Sequence, residues 1–143
     1  DVYKRQIVDK SPFIDQIIIY NNQSPFTGAI VVPNRDALRR ELDARDIREG
    51  RAAAAADILG AEIDRYRAGG PYAGEFPERW LPAGLAIVDE PFTEQNGLIN
   101  STMKIVRNKV EEYFRDRIDY LYTPEGRELR NDKNLASLRK MVE

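Results

Sequence analysis

The chain has 143 residues and contains neither cysteine nor histidine. The first absence excludes disulfides and thiolate chemistry. The second removes the usual general base at neutral pH and the usual zinc ligand. A Ser-His-Asp hydrolase or a zinc site cannot be built from this chain alone. Charge is balanced: 22 Lys and Arg stand against 24 Asp and Glu, for a net charge of -2. That gives no general nucleic-acid footprint. No apolar run approaches the length of a bilayer, and no stretch reads as a signal peptide, so no transmembrane segment is expected. The nine glycines are scattered as turns, with no glycine-rich phosphate loop among them. No carboxylate pair shows a metal-binding spacing, so no metal site is expected.

The residues that are present describe one domain of ordinary size. Apolar residues make up 42%, enough for a modest core, and charged residues make up 32%. Asp1–Gln6 (DVYKRQ) has no cap and no period, and joins abruptly to IVDKSPFIDQ. It is expected to be a non-native cloning scar, and the native chain is expected to continue upstream of Ile7. Residues 11–16 read as a turn or a short helix start at Pro12. Residues 17–20 (IIIY) and 27–33 (TGAIVVP) read as buried strands, joined as a β-hairpin across the turn formers of residues 21–25.

From Asp36, a candidate cap, the apolar residues fall into helical spacing. A break is expected near Gly50. The helix then resumes through the alanines of residues 52–56 and stops at Gly69–Pro71. Residues 85–88 form a third strand. Residues 106–122 repeat apolar side chains at three- and four-residue steps, predicting one amphipathic helix that Pro124 and Gly126 close. Leu129, Leu135, Leu138 and Val142 mark a further helical stripe. The sum is an α+β fold: a small three-stranded sheet packed with helices, with an Ala-rich helical insertion. The near-continuous apolar strands predict cover on both faces. Trp80 and Phe92 read as core anchors, and Arg115, Asp116, Arg117 and Asp119 as a solvated helix face.

The stretch most suggestive of chemistry is Glu90–Arg107, EPFTEQNGLINSTMKIVR. It leaves the third strand, crosses a polar loop holding Lys104, and enters the charged helix. Rigid elements on either side of such a loop can aim a lysine at a phosphate. A solvated loop lysine is the plain alternative. Arg107 lies four residues before Glu111, a spacing suited to a surface ion pair. Thr102 can cap the following helix or hydrogen-bond near the site.

This stretch resembles the C-terminal end of AMP-forming acyl-CoA synthetases. SPFIDQIIIYNNQSPFTGAIVVPN is similar to that family's strand pair, and FPERWLPAGLAIVDEPFTEQNGLINSTMKIVRNKVEEYF to its last strand, lysine loop and final helix. The likeness spans Ile7 to about Tyr122. It is strongest to the long-chain fatty acyl-CoA branch, whose ending often reads FT-x-ENGLLTPTLK. Here Gln95 replaces the glutamate, residues 99–101 replace the LTP step, and Met103 precedes the lysine where the wider superfamily has glycine.

The resemblance implies that Lys104 is catalytic in acyl adenylation, and that Arg107 and Thr102 bind substrate or orient the loop. It also implies that residues 7–143 are the C-terminal lid of an adenylate-forming ligase, working against an N-terminal adenylation domain of the same enzyme. ATP and Mg would be held mainly by that domain. Fatty acid and coenzyme A would be co-substrates, and thioester formation would follow rotation of the lid. A cytoplasmic location is expected, with peripheral membrane association allowed, and no nucleic-acid partner. The alternative class is a non-catalytic interaction or accessory module, in which the Ala-rich helices bind a partner.

Overall fold

A computed structural model describes residues 2–143. The chain orders as α1 (Val2–Asp9), β1 (Ile14–Tyr20), β2 (Gly28–Pro33), α2 (Arg35–Ala44), α3 (Arg51–Asp64), a 3-10 turn at Glu78–Trp80, β3 (Gly84–Ile87), α4 (Arg107–Tyr113), α5 (Arg115–Leu121), α6 (Pro124–Arg127) and α7 (Asp132–Val142). The strands make one mixed sheet in the order β1-β2-β3. β1 and β2 pair antiparallel, with Ile17 opposite Val31 and Tyr20 opposite Gly28. β3 joins β2 in parallel, with Ala29 opposite Leu85. A parallel neighbour needs a long crossover, and α2 and α3 supply it.

Every residue of β2 is buried, as a central strand covered on both faces requires. Alternation sends Ala29, Val31, Leu85 and Ile87 into one core with Leu38, Leu42, Leu59, Ile63 and Leu138 from the helices α2, α3 and α7. It sends Ile30, Val32, Ala86 and Val88 into a second core with Phe92, Leu98, Val110, Phe114 and Ile118. The α+β fold, the hairpin and the two-sided cover are therefore as expected.

Several local expectations are corrected. Asp1 lies outside the described residues. Val2–Gln6, which show no helical period in the sequence, form the start of α1, which runs through Ile7, buried in the first core. β1 starts at Ile14, so residues 14–16 are strand and not a helix start. The cap of α2 is Asn34, whose side chain accepts from the Ala37 N–H; Asp36 sits in the first turn. The break at Gly50 is real: it adopts a left-handed φ of 63° and heads α3. The predicted helix over residues 106–122 is two helices, parted at Phe114 with φ -104° and ψ 26°. Phe114 is itself buried, its ring 6.0 Å from that of Phe92. Pro124 does not end a helix but opens α6, a position that suits its fixed φ and missing N–H.

Trp80 is no core anchor, being 47% exposed, whereas Phe92 is buried. Arg117 leaves the predicted solvated face. Its guanidinium turns inward and donates to Ile87 O at 2.9 Å, Asn134 Oδ1 at 2.7 Å and Ser137 Oγ at 3.3 Å. Its Nε is buried with no partner, and burial holds its pKa below the usual arginine range.

Candidate functional site

After β3 the chain is held to the sheet by paired bonds. Gln16 on β1 donates to Phe92 O at 3.0 Å and accepts from the Phe92 N–H at 2.8 Å. Asn96 then organises a turn, accepting from Thr93 N and Leu98 N and donating to Pro91 O at 2.9 Å. Gly97 takes a φ of 79° there, a region that glycine enters without strain. Glu90 accepts from the Tyr113 hydroxyl at 2.5 Å, linking this turn to α4. That bond to a carboxylate holds the Tyr113 proton and raises its pKa. Phe92, Leu98 and Ile99 are buried in the second core. The loop expected from sequence is thus pinned by three apolar side chains and a polar scaffold.

Lys104 stands at the end of a tight turn on this base. Ile99 and Ile105 form a β-bridge, and the Val106 N–H donates to Leu98 O at 2.8 Å. Between them, Asn100 N donates to Lys104 O at 2.9 Å, and Met103 N donates to Asn100 O at 2.9 Å. The Asn100 carboxamide oxygen accepts from Thr102 N at 3.0 Å, Thr102 Oγ1 at 2.7 Å and Lys104 N at 3.0 Å. Met103 has φ 64° and is 71% exposed.

The Lys104 side chain is exposed. It lines an open groove with Val8, Asp15, Gln16, Ile17 and Met103. None of the ion pairs among the described residues involves it. An unpaired ammonium on a fixed turn can meet an anion from outside the chain. A phosphate-bearing ligand fits that donor. Among the described residues no group of three carboxylates could hold a metal ion.

The other two predicted site residues are placed differently. Thr102 shares the lysine turn but caps no helix. Its hydroxyl is spent on Asn100, and α4 begins only at Arg107, with Val106 as its uncapped lead residue. Arg107 pairs with Glu111, Nε to Oε2 at 3.1 Å, and also donates to the Ile19 carbonyl at the end of β1. It lines a groove with Tyr20, Asn21 and Asn22, apart from the groove of Lys104. The structure therefore brings Thr102 and Lys104 together and leaves Arg107 as a clamp between α4 and β1. Sequence reasoning missed Asn100. The available signal was its type: an Asn two residues before Thr102 on a polar loop is a natural Asx-turn former.

A separate pocket between α3, β3 and α6 is lined by Ile63, Arg67, Gly84, Arg127 and Leu129 among others. Its arginines are engaged: Arg67 pairs with Asp64 and Glu78, and Arg127 lies 4.6 Å above the Phe26 ring.

Comparison with known proteins gives a consistent picture. No protein-family model matches the chain. It is 31% identical over 121 residues to a probable chloroplastic acyl-activating enzyme 16 of Arabidopsis thaliana, covering 79% of this chain and 15% of that protein. It is 25% identical over 115 residues to long chain acyl-CoA synthetase 8 of Arabidopsis thaliana, covering 78% of this chain and 16% of that protein. Among solved structures, the adenylation domain of a carboxylate reductase from Mycobacterium chelonae superposes with a TM-score of 0.58 at 26% identity, covering 81% of this chain and 16% of that one. The chain thus spans about one sixth of the length of these relatives. Among the described residues no helix is long and apolar enough to cross a membrane.

Proposed function

We propose, since the homologues and structural neighbours of this chain are adenylate-forming enzymes, that residues 7–143 are the C-terminal lid of an ATP-dependent acyl-activating ligase, with Lys104 as its adenylation lysine. The observation that carries this reading is the unpaired, exposed Lys104 ammonium, held by a hydrogen-bonded turn that is anchored in the core. In the reaction a carboxylate oxygen attacks the α-phosphorus of ATP. An acyl–phosphate bond forms, the bond to the β-phosphate breaks, and pyrophosphate leaves. Two anions must meet, and negative charge gathers on the phosphate oxygens, so a mobile point cation stabilises both approach and transition state. In the second half-reaction the thiol sulfur of coenzyme A attacks the acyl carbonyl, losing its proton, and AMP departs. The lid would rotate between the two steps and assemble a different face each time.

The fatty-acid preference rests on the likeness of EPFTEQNGLINSTMK to the long-chain branch. The ATP and Mg sites, the acyl pocket and the hinge belong, on this reading, to an N-terminal adenylation domain, and the setting is cytoplasmic with peripheral membrane contact allowed. The isolated chain is then inactive, since a lid with one lysine cannot bind both substrates.

In the full-length enzyme, Lys104→Ala is expected to lower acyl-adenylate formation by about 100-fold or more, the scale of losing one preorganised donor. Thioester formation from preformed acyl-adenylate should stay near the parent rate. Pyrophosphate release and thioester yield, measured separately, check this. Equal loss in both steps, or no loss in either, would remove Lys104 from the chemistry and favour an interaction module.

A further inference from the structure

We infer that Asn100 is a positioning residue for Lys104: its side-chain oxygen sets the backbone from which the lysine is presented. This rests on the adenylation reading given above. One carboxamide oxygen accepts three donors, from Thr102 N, Thr102 Oγ1 and Lys104 N, all within 3.0 Å. The Asn100 backbone N–H closes the turn from the other side onto Lys104 O. Residues 100 and 104 are therefore joined twice, once through the backbone and once through the side chain. The Asn100 side-chain Nδ2 takes no part in these bonds, so the side-chain oxygen is the working atom.

The turn also forces Met103 into the left-handed region at φ 64°. A residue with a Cβ enters that region at a cost of about 1–2 kcal/mol. Met103 is exposed and gains no burial in return. The polar bonds of Asn100 oppose that strain. Without them the lysine backbone is expected to relax and the Cα–Cβ direction of Lys104 to wander. The lysine stem is flexible, so the ammonium would still reach its anion part of the time. The expected loss is thus partial, and smaller than the loss from deleting the ammonium.

The test uses the full-length enzyme with Lys104→Ala, Asn100→Leu and Asn100→Thr side by side. Asn100→Leu keeps the volume and removes the acceptor. Its kcat for acyl-adenylate formation should fall roughly 10- to 100-fold, the scale of an ångström-sized misplacement, with KM for ATP and the thioester step little changed. Asn100→Thr restores a hydroxyl acceptor, which can build the same turn more weakly, and should recover most of the rate. In the 143-residue chain, Asn100→Leu should speed hydrogen exchange at the Lys104 amide while leaving the β2 amides protected.

If Lys104→Ala disables adenylation while Asn100→Leu stays within twofold of the parent, the positioning role is wrong and the function stands. A silent Lys104→Ala sinks the adenylation reading, and the role of Asn100 falls with it. Equal loss of both half-reactions in Asn100→Leu, with lost β2 protection, marks a folding residue and overturns the proposal.

Discussion

At the scale of single residues, the sequence showed which side chains were chemically capable and concealed which were already engaged. Arg117 is the clearest case. Four charges at residues 115, 116, 117 and 119 look like one solvated face, yet Arg117 spans from α5 to the end of β3 and to α7. Its burial penalises the charge and lowers its pKa, while three hydrogen bonds satisfy acceptors that water cannot easily reach. Arg117→Met keeps most of the stem and removes the donors. Leaving the buried Ile87 and Asn134 acceptors short of a partner should outweigh the relief of desolvation. A loss of about 1–3 kcal/mol in urea unfolding is expected. A variant as stable as the parent would show that the buried cation contributes nothing net. The position of Lys104 on a polar loop after the third strand could be read from the sequence, but the Asn100 bonds that hold its backbone could not. Of the two outlets open to the Thr102 hydroxyl, the helix cap gave way to the nearer one, Asn100. Trp80 was misread because ring size does not reveal on which side of a 3-10 turn the ring lies.

At the scale of elements, the strands and the Ala-rich helix were legible because their signals are dense: β-branched runs for β1 and β2, and small residues for α3. Boundaries were not, since competing caps lie within two residues of each other, as Asn34 and Asp36 do. The break at Phe114 was hidden because the three- and four-residue apolar steps continue across it. The two helices share a buried face, so periodicity alone cannot detect the bend. The alanines bear directly on the choice between scaffold and partner surface. Ala52, Ala55 and Ala56 are buried in the first core, and α3 packs mainly on α7. Ala55 is 0% exposed, so it cannot meet a partner without unfolding. Ala55→Leu should overpack that contact and cost about 1–3 kcal/mol. The same change at half-buried Ala53 should cost less. Thermal or urea melts of the two variants decide: equal, small effects would mean that α3 is loosely seated and return the partner surface to consideration.

At the scale of the whole molecule, the parallel placement of β3 was beyond the sequence. The three strands and the helical stretches between the second and third could be listed, but nothing local states that the third strand returns to pair in parallel with the second. That placement makes β3 an edge strand with open polar groups, which invites pairing with another chain. The fold closes the edge with a side chain. Asn134 of α7, 0% exposed, donates to Leu85 O at 2.9 Å and accepts from the Ile87 N–H at 2.8 Å, imitating the next strand. It also donates to Leu129 O at 3.0 Å and accepts from Arg117. The sheet edge, α5 and α7 are thereby tied at one point, and the two cores share the sheet that lies between them. A chain built this way should unfold as one unit. Asn134→Leu preserves the volume and strands the Ile87 N–H, the Leu85 carbonyl and the Leu129 carbonyl, each at about 1–3 kcal/mol. The expected result is a loss of at least ~3 kcal/mol, a large share of the 5–15 kcal/mol typical of a domain. Tyrosines lie on both sides, Tyr66 in the first core and Tyr20 in the second, so near-ultraviolet dichroism reports both while far-ultraviolet dichroism follows the helices. The two signals should shift together to a lower urea midpoint. Separate transitions in the variant would mean that each face can hold its helices without the other. In that case the sheet edge would be a seam between two stable halves.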